Sequence, residues 1–331
     1  MRFRPAAALA ALATLVVVGC GGVARSEPAP SGPKAPDSLV IAYQPGVGYA
    51  PLLIMKQQHW IENAFPGTKV EYRLLSNGDA IRDGIIAGQI QIGSGGSGPF
   101  LVGWAKGVDY RLIAAMNQMD LWLNAKDPDI RSLRDVKPDT KIAAPAVDSI
   151  QAIALRKLAQ DQLGDAHKLD ANLVAMAHPD GLQNLMAGSI GAHFTSPPYQ
   201  FQEVSKGAHM IASSYGAFGP STFNSTFTTQ RFYDRYPEFM RKFYDDVVRA
   251  EKLINSDPAG AAGLVAAADG KPELADQYRQ WMTTAGTVSY GTKPAGFLSC
   301  AAFMKKIGSI QRTPRSIKEL ELPFLQSVGG S

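Results

Sequence analysis

The stretch Ile90-Gln91-Ile92-Gly93-Ser94-Gly95-Gly96-Ser97-Gly98-Pro99-Phe100 decides how the rest of the chain is read. A short apolar run breaks into glycine and serine, and Pro99 then suits the first turn of a helix over 99–106. Glycines at 93, 95, 96 and 98 let the backbone approach a ligand closely. The N–H groups and dipole at the start of the helix would face an anion or a polar head group. This predicts a binding loop with no catalyst in it. The same letters satisfy G-x-G-x-x-G at Gly93, Gly95 and Gly98, with Asp109 and Asp120 near the distance of a ribose-binding acid. A dinucleotide fingerprint opens its domain, whereas a strand, helix, strand and helix precede this one. The remaining alternative is a glycine-rich turn that only punctuates the chain.

Working outward, 38–43 is an apolar run bounded by Pro36 and a turn over 44–48, and reads as a first strand. A helix follows over 49–60 with Pro51 in its first turn. Residues 69–75 form a second strand, and Asp79 caps a helix carrying Ile81, Ile85 and Ile86 that stops at Gly88. After the opening stretch, 110–116 is another strand. Alternating strands and helices predict a parallel sheet clad by helices, whose ligands sit beyond the carboxyl ends of the strands. Three segments qualify: 44–48, 93–98 and Asn117-Gln118.

The alternation restarts after Asp127-Pro128. Residues 141–144 form a strand ending at Pro145, and Asp148 or Ser149 caps a helix burying Ile150, Ile153, Ala154 and Leu158. A strand over 173–176, a helix over 181–187 and a strand over 192–194 lead into Thr195-Ser196-Pro197-Pro198. A helix from Pro198 and a strand over 209–212 follow. Ile85-Ile86-Ala87-Gly88-Gln89-Ile90 is echoed by Leu185-Met186-Ala187-Gly188-Ser189-Ile190. The echo makes the loop at 195–198 the counterpart of 93–99, and the two would face one another in a clam shell. Beyond Phe223 come a β-prone run over 225–229 and helices starting near Pro237, Pro258, Pro272, Phe297 and Ser316, read as cladding of the first lobe.

Arg2 and Arg4 before an apolar run over 6–18 make a secretory signal, too short to span a membrane. It ends in Val17-Val18-Gly19-Cys20, which resembles the bacterial lipobox, where the cysteine is lipidated. Residues 21–36 read as a disordered tether. Of 2 cysteines, Cys300 is then left alone, without a disulfide partner, as a buried apolar residue. A body of about 300 residues favours two lobes over one core. A net charge of +4, with scattered Lys and Arg, gives nucleic-acid binding no support.

No metal-ligand spacing appears among His59, His167, His178, His193 and His209, so no metal and no cofactor is expected. His193 could reach a ligand, or be a satisfied core histidine. Ala212-Ser213-Ser214-Tyr215-Gly216 approximates a nucleophile elbow, but Gly216 to Pro220 cannot supply the helix that an elbow needs. Without a nucleophile–base pair the chain is read as a binding protein, with a hydrolase or transferase as the enzyme alternative.

The chain resembles the periplasmic substrate-binding proteins of ABC importers, in the nitrate, sulfonate and taurine group that includes relatives of thiamine-precursor binders. The resemblance rests on Ile41-Ala42-Tyr43-Gln44-Pro45, on 87–93, where the family usually reads A-x-G-x-x-D-x-G, and on Lys141-Ile142-Ala143-Ala144-Pro145. Residues 182–190 and 303–308 also fit. Gln91 stands where the family has Asp, and 191–198 departs from the family pattern, which puts the substrate in question more than the fold. The resemblance implies an α/β type 2 periplasmic-binding-protein fold: two lobes with mixed, mostly parallel sheets and a cleft between them. Lobe one would take 37–122 and 222–331, and lobe two 123–221. It also implies an ABC permease as partner and a monomeric receptor held at the extracytoplasmic face by Cys20.

The expected ligand set is Gln44, Gly46, Ser94, Gly95, Gly96, Ser97, Asn117, Asp148, Ser149, Thr195, Ser196 and Tyr215, with Tyr49 and Tyr199 as further aromatics. The cleft segments hold no Arg or Lys. Neutral donors and helix N-termini suit a small oxyanion such as a sulfonate, or a neutral polar ring such as a pyrimidine. An Asp148 carboxylate facing the cleft would favour a ligand with an N–H donor. As a helix cap, its charge would be occupied.

Overall fold

The computed structural model describes residues 35–326; Cys20, the signal and the tether up to position 34 lie outside the described residues. In chain order the strands are β1 (Ser38–Tyr43), β2 (Lys69–Leu74), β3 (Gly93–Gly96), β4 (Tyr110–Ala115), β5 (Asn117–Met119) and β6 (Trp122–Ala125). They continue as β7 (Ile142–Ala144), β8 (Leu173–Ala175), β9 (Ala192–Phe194), β10 (His209–Ser213), β11 (Asn224–Thr229) and β12 (Val288–Tyr290). No helix among the described residues is long and apolar enough to cross a membrane.

The strands form two α/β halves. In the first, β1 pairs with β2 in parallel and bridges Ile41 to Ile92 just before β3. Leu39, Ile41 and Ala42 of β1 are fully buried, as a strand covered on both faces requires. β11 lies antiparallel between β3 and β4. The second half is one sheet in the order β10-β6-β9-β7-β8, all of it drawn from 122–213. β8-β7-β9 is parallel, β6 runs antiparallel to β9, and β10 runs antiparallel to β6. The parallel alternation read from the sequence holds within each run of strands and helices. Antiparallel ladders enter through strands that border the crossings between halves.

The chain leaves the first half through β5 and returns just before β11. The two crossings are joined by a Gln118–Thr222 bridge and by Phe223 N donating to Asn117 O at 3.2 Å. β12, from the C-terminal helical part, pairs with β5 on the outgoing crossing. The C-terminal helix Phe297–Lys306 packs on Ser97–Ala105, where Phe100 meets Phe297, Phe227 and Tyr110 at ring separations of 6.0, 5.4 and 5.6 Å. Both ends of the described chain therefore build the first half.

Three local readings change. Gly93–Gly96 is a strand and not a turn, because it pairs with β11, and at Gly93 the side chains of Phe227, Ile81 and Ile85 leave room only for a glycine. A Cβ at Gly93 would sit 2.7 to 2.8 Å from these three. The expected helix over 49–60 is split into Ala50–Gln57 and Trp60–Ala64 by His59, whose φ of 51° turns the chain. The helix Gly78–Ile86 is capped by Asn77, which accepts from Ala80 N at 3.0 Å, and not by Asp79. The echo does correspond in structure: Gly88 and Gly188 each end a helix at φ 73° and 74° before the chain enters β3 and β9.

Candidate ligand-binding site

Five helices begin at one small cavity. Tyr49 and Gly96 precede Ala50–Gln57 and Ser97–Ala105, Gly78 is the first residue of Gly78–Ile86, and Ser149 caps Ile150–Leu163. His178 opens His178–Ala187. With Gln44, Pro45, Pro99, Pro145, Ile150, Gln151, Ser196 and Phe223, these residues enclose about 20 Å³. The lining carries no carboxylate, lysine or arginine. Each helix start turns the positive end of its dipole toward the cavity, although Asn77 and Ser149 each accept one first-turn N–H and the N–H groups of Tyr49 and Ala50 are bonded to Gly46 and Val47; the potential inside favours an anion.

The two halves touch around this cavity. A Cβ on Gly98 would meet the Asp148 carbonyl, one on Gly96 would lie 3.1 Å from Ile150, and one on Gly46 3.0 Å from Pro197 O. Gly96 and Ser196, from the two loops expected to face one another, both line this cavity. An adjoining cavity of about 310 Å³ shares Gln44 and Pro45 with the first and is lined by Gly46, Tyr43, Tyr199, Tyr278 and Trp281 among others.

Of the residues expected at the site, Gln44, Gly96, Ser149 and Ser196 line the small cavity, and Gly46 lines the adjoining one. Ser94 instead donates its hydroxyl to Ala42 O at 2.7 Å, tying β3 to β1. Gly95 backs Gln44, and Ser97 is buried in the first turn of its helix. Asn117 is fully buried, donating to Gly48 O at 2.6 Å and accepting from Asn224 N at 3.2 Å, so it braces the outgoing crossing. Tyr215 sits on the short helix Ser214–Phe218, its N–H bound to Asp120 Oδ1 at 2.9 Å beside that crossing. Thr195 is buried against His178.

Asp148 neither caps a helix nor lines the cavity. Ser149 is the cap, accepting from Ala152 N at 3.2 Å. Asp148 Oδ2 accepts from Arg82 Nη1 at 2.9 Å, and the same guanidinium lies 3.0 Å from Asp79 Oδ1 and 3.5 Å from Asp83 Oδ1. Partial burial, with Asp148 next in weight, pushes the Asp79 carboxyl up to about 6. Arg82 is thus a cationic clasp at the rim, missed because it lies mid-helix and its cross-cleft partner is 66 positions away.

Gln151 and His178 were also missed as ligand residues, although each follows closely on a strand end. They join a buried chain. Glu203 Oε1 lies 2.6 Å from His193 Nδ1, His193 Nε2 lies 3.2 Å from His178 Nδ1, and His178 Nε2 lies 3.2 Å from Gln151 Nε2. Asn124 Nδ2 donates to the other Glu203 oxygen at 2.9 Å. His193 and Glu203 are fully buried. Burial, with His193 beside it, holds His178 well below the usual imidazole range, so its ring is neutral.

A model described as the NMT1-like family matches residues 32–268. No curated protein matches the sequence. Among solved structures, the alkanesulfonate-binding protein SsuA from Xanthomonas axonopodis pv. citri, bound to MOPS, is similar at a TM-score of 0.68 and 19% identity, over 85% of this chain and 96% of that one. The periplasmic aliphatic sulphonate binding protein SsuA from Escherichia coli gives 0.65 and 17%, over 87% and 92%. The periplasmic nitrate-binding protein NrtA from Synechocystis gives 0.59 and 12%, over 70% and 66%. At these identities the likeness is one of fold, and the fold is the two-lobed periplasmic-binding-protein fold with mixed sheets.

Proposed function

The chain belongs to the NMT1-like family, and on that premise we propose that it is an extracytoplasmic solute receptor that closes on a small oxyanion, such as a sulfonate, and presents it to an ABC permease. The observation that carries this reading is the convergence of five helix starts on one cavity whose lining has no carboxylate. Each terminus acts as roughly half a positive charge on what lies before it. The absence of arginine from the lining suits a sulfonate better than a phosphate that needs a bidentate partner. We assign 37–122 with 222–331 to one lobe and 123–221 to the other. A ligand touching both binds the closed form more tightly than the open one and so drives closure. The receptor acts as a monomer anchored by lipid at Cys20.

Thermal-shift screening of alkyl sulfonates, taurine, nitrate, bicarbonate and pyrimidine precursors tests the assignment. A true ligand at 100 times its dissociation constant adds about 2.7 kcal/mol of stability. Stabilisation only by a peptide, a sugar or a metal would overturn the oxyanion reading.

A further inference from the structure

We infer that the buried chain Glu203–His193–His178 fixes the side-chain amide of Gln151 with its nitrogen toward His178 and its oxygen toward the cavity, so that the site selects an anion that also carries an O–H or N–H donor. This rests on the reading of the cavity as a ligand site, and it names a feature of the ligand that helix dipoles alone do not specify.

The Gln151 amide nitrogen lies 3.2 Å from His178 Nε2, which places the ring proton of a neutral His178 on Nδ1. Glu203 accepts from Asn124 at Oε2, and its Oε1 faces His193 Nδ1 at 2.6 Å. His178 Nδ1 lies 3.2 Å from His193 Nε2 and 3.2 Å from the Thr195 hydroxyl, and its proton is held between them. The neutral His178 ring in turn keeps its lone pair on Nε2, and only an amide N–H can complete that contact. Gln151 must therefore offer Nε2 to His178. Among the described residues this is its only side-chain hydrogen bond, which leaves Oε1 as an acceptor in the cavity that Gln151 lines. Gln151 is only 2% exposed, so Oε1 looks to a bound molecule for a donor. The histidines are held rigidly: a Cβ on Gly181 would collide with the His193 ring, and His178 stacks on Tyr199 at 5.7 Å. His178, His193 and Glu203 act here as positioning residues for Gln151.

Nitrogen NMR of the mature chain tests the relay without any ligand. Both rings should show a protonated Nδ1 and a bare Nε2, with a coupling across the hydrogen bond between Gln151 Nε2 and His178 Nε2. A protonated Nε2 on His178 without that coupling overturns the inference. Glu203→Gln, of the same size, should mix the tautomers of both rings, and an unchanged spectrum would remove Glu203 from the chain of control. For selectivity, calorimetry compares 2-hydroxyethanesulfonate with 1-propanesulfonate, which differ by a hydroxyl in place of a methyl. The hydroxyl compound should bind about tenfold more tightly, and equal affinities would overturn the donor requirement. Binding of neither counts against the sulfonate receptor itself, while the NMR readout still decides the amide orientation.

Discussion

Arg82 and Asp148 stand 66 positions apart in the chain and meet at 2.9 Å, one from each side of the cleft. The guanidinium also lies within ion-pair distance of Asp79 and Asp83, and it is the nearest thing in the described chain to a clasp on the closed form.

Replacing Arg82 with Met keeps the stem and removes the charge. Asp79 and Asp148 are then left facing each other, at a cost of about 1 kcal/mol to closure once solvent at the rim is allowed for. Ligand affinity should fall roughly fivefold, chiefly through a faster off-rate in stopped-flow measurements. An unchanged off-rate would show that the pair does not act on closure.

Asp79 should titrate near 6 by carbon NMR of its carboxyl group. Folded Asp79 keeps its proton to higher pH than the unfolded chain, so its contribution to stability is full below 3.8 and is lost as pH rises from 3.8 through about 6. Burial is the larger cause and Asp148 the next, so Asp148→Asn should lower the midpoint only part of the way.

Gly98→Ala places a methyl against the Asp148 carbonyl, a backbone atom of the opposite half that cannot rotate aside. It should hold the cleft ajar, weakening ligand binding at least tenfold and enlarging the particle in X-ray scattering. Gly188→Ala, at φ 74° with open space around it, should cost about 1 kcal/mol of stability and leave binding unchanged.

Glu251, on the helix Pro237–Ser256, is 5% exposed and its Oε1 has no partner among the described residues; burial pushes its carboxyl up to about 9. The folded chain holds this proton where the unfolded chain, near 4.5, has released it. Its contribution to stability therefore falls between those two values as pH rises. Glu251→Gln should gain on the wild type by about 1.4 kcal/mol per pH unit across that window, read by denaturant unfolding.

If Cys20 carries the lipid, Cys20→Ala should move the protein from the membrane fraction to the soluble one. A processed variant that stays with the membrane would remove the anchor from the proposal.

Much of the fold was legible because β1, β4, β9 and β11 are apolar or β-branched runs closed by Pro, Gly or small polar residues. β3 was not, since Gly-Ser-Gly-Gly has no side-chain period, and its strand conformation comes from the ladder with β11, a partner from elsewhere in the chain. At the site, Gln44, Gly96, Ser149 and Ser196 were found by a rule about strand ends and caps. Arg82 and Asp148 were misjudged because their roles exist only across the cleft. Gln151 and His178 gain theirs from Glu203, a buried carboxylate that nothing local to either residue announces.

β11 lies between β3 and β4, and so joins strands made long before it to a segment made after the whole of 122–213. The second half draws all five strands of its sheet from one unbroken stretch and can assemble as soon as that stretch is free. The first half must wait for Asn224–Thr229, and until then the row Gly93–Gly96 has no partner on that side. On a chain that emerges from its N-terminus the later half folds first, and the earlier half is the one exposed to premature pairing with a neighbour.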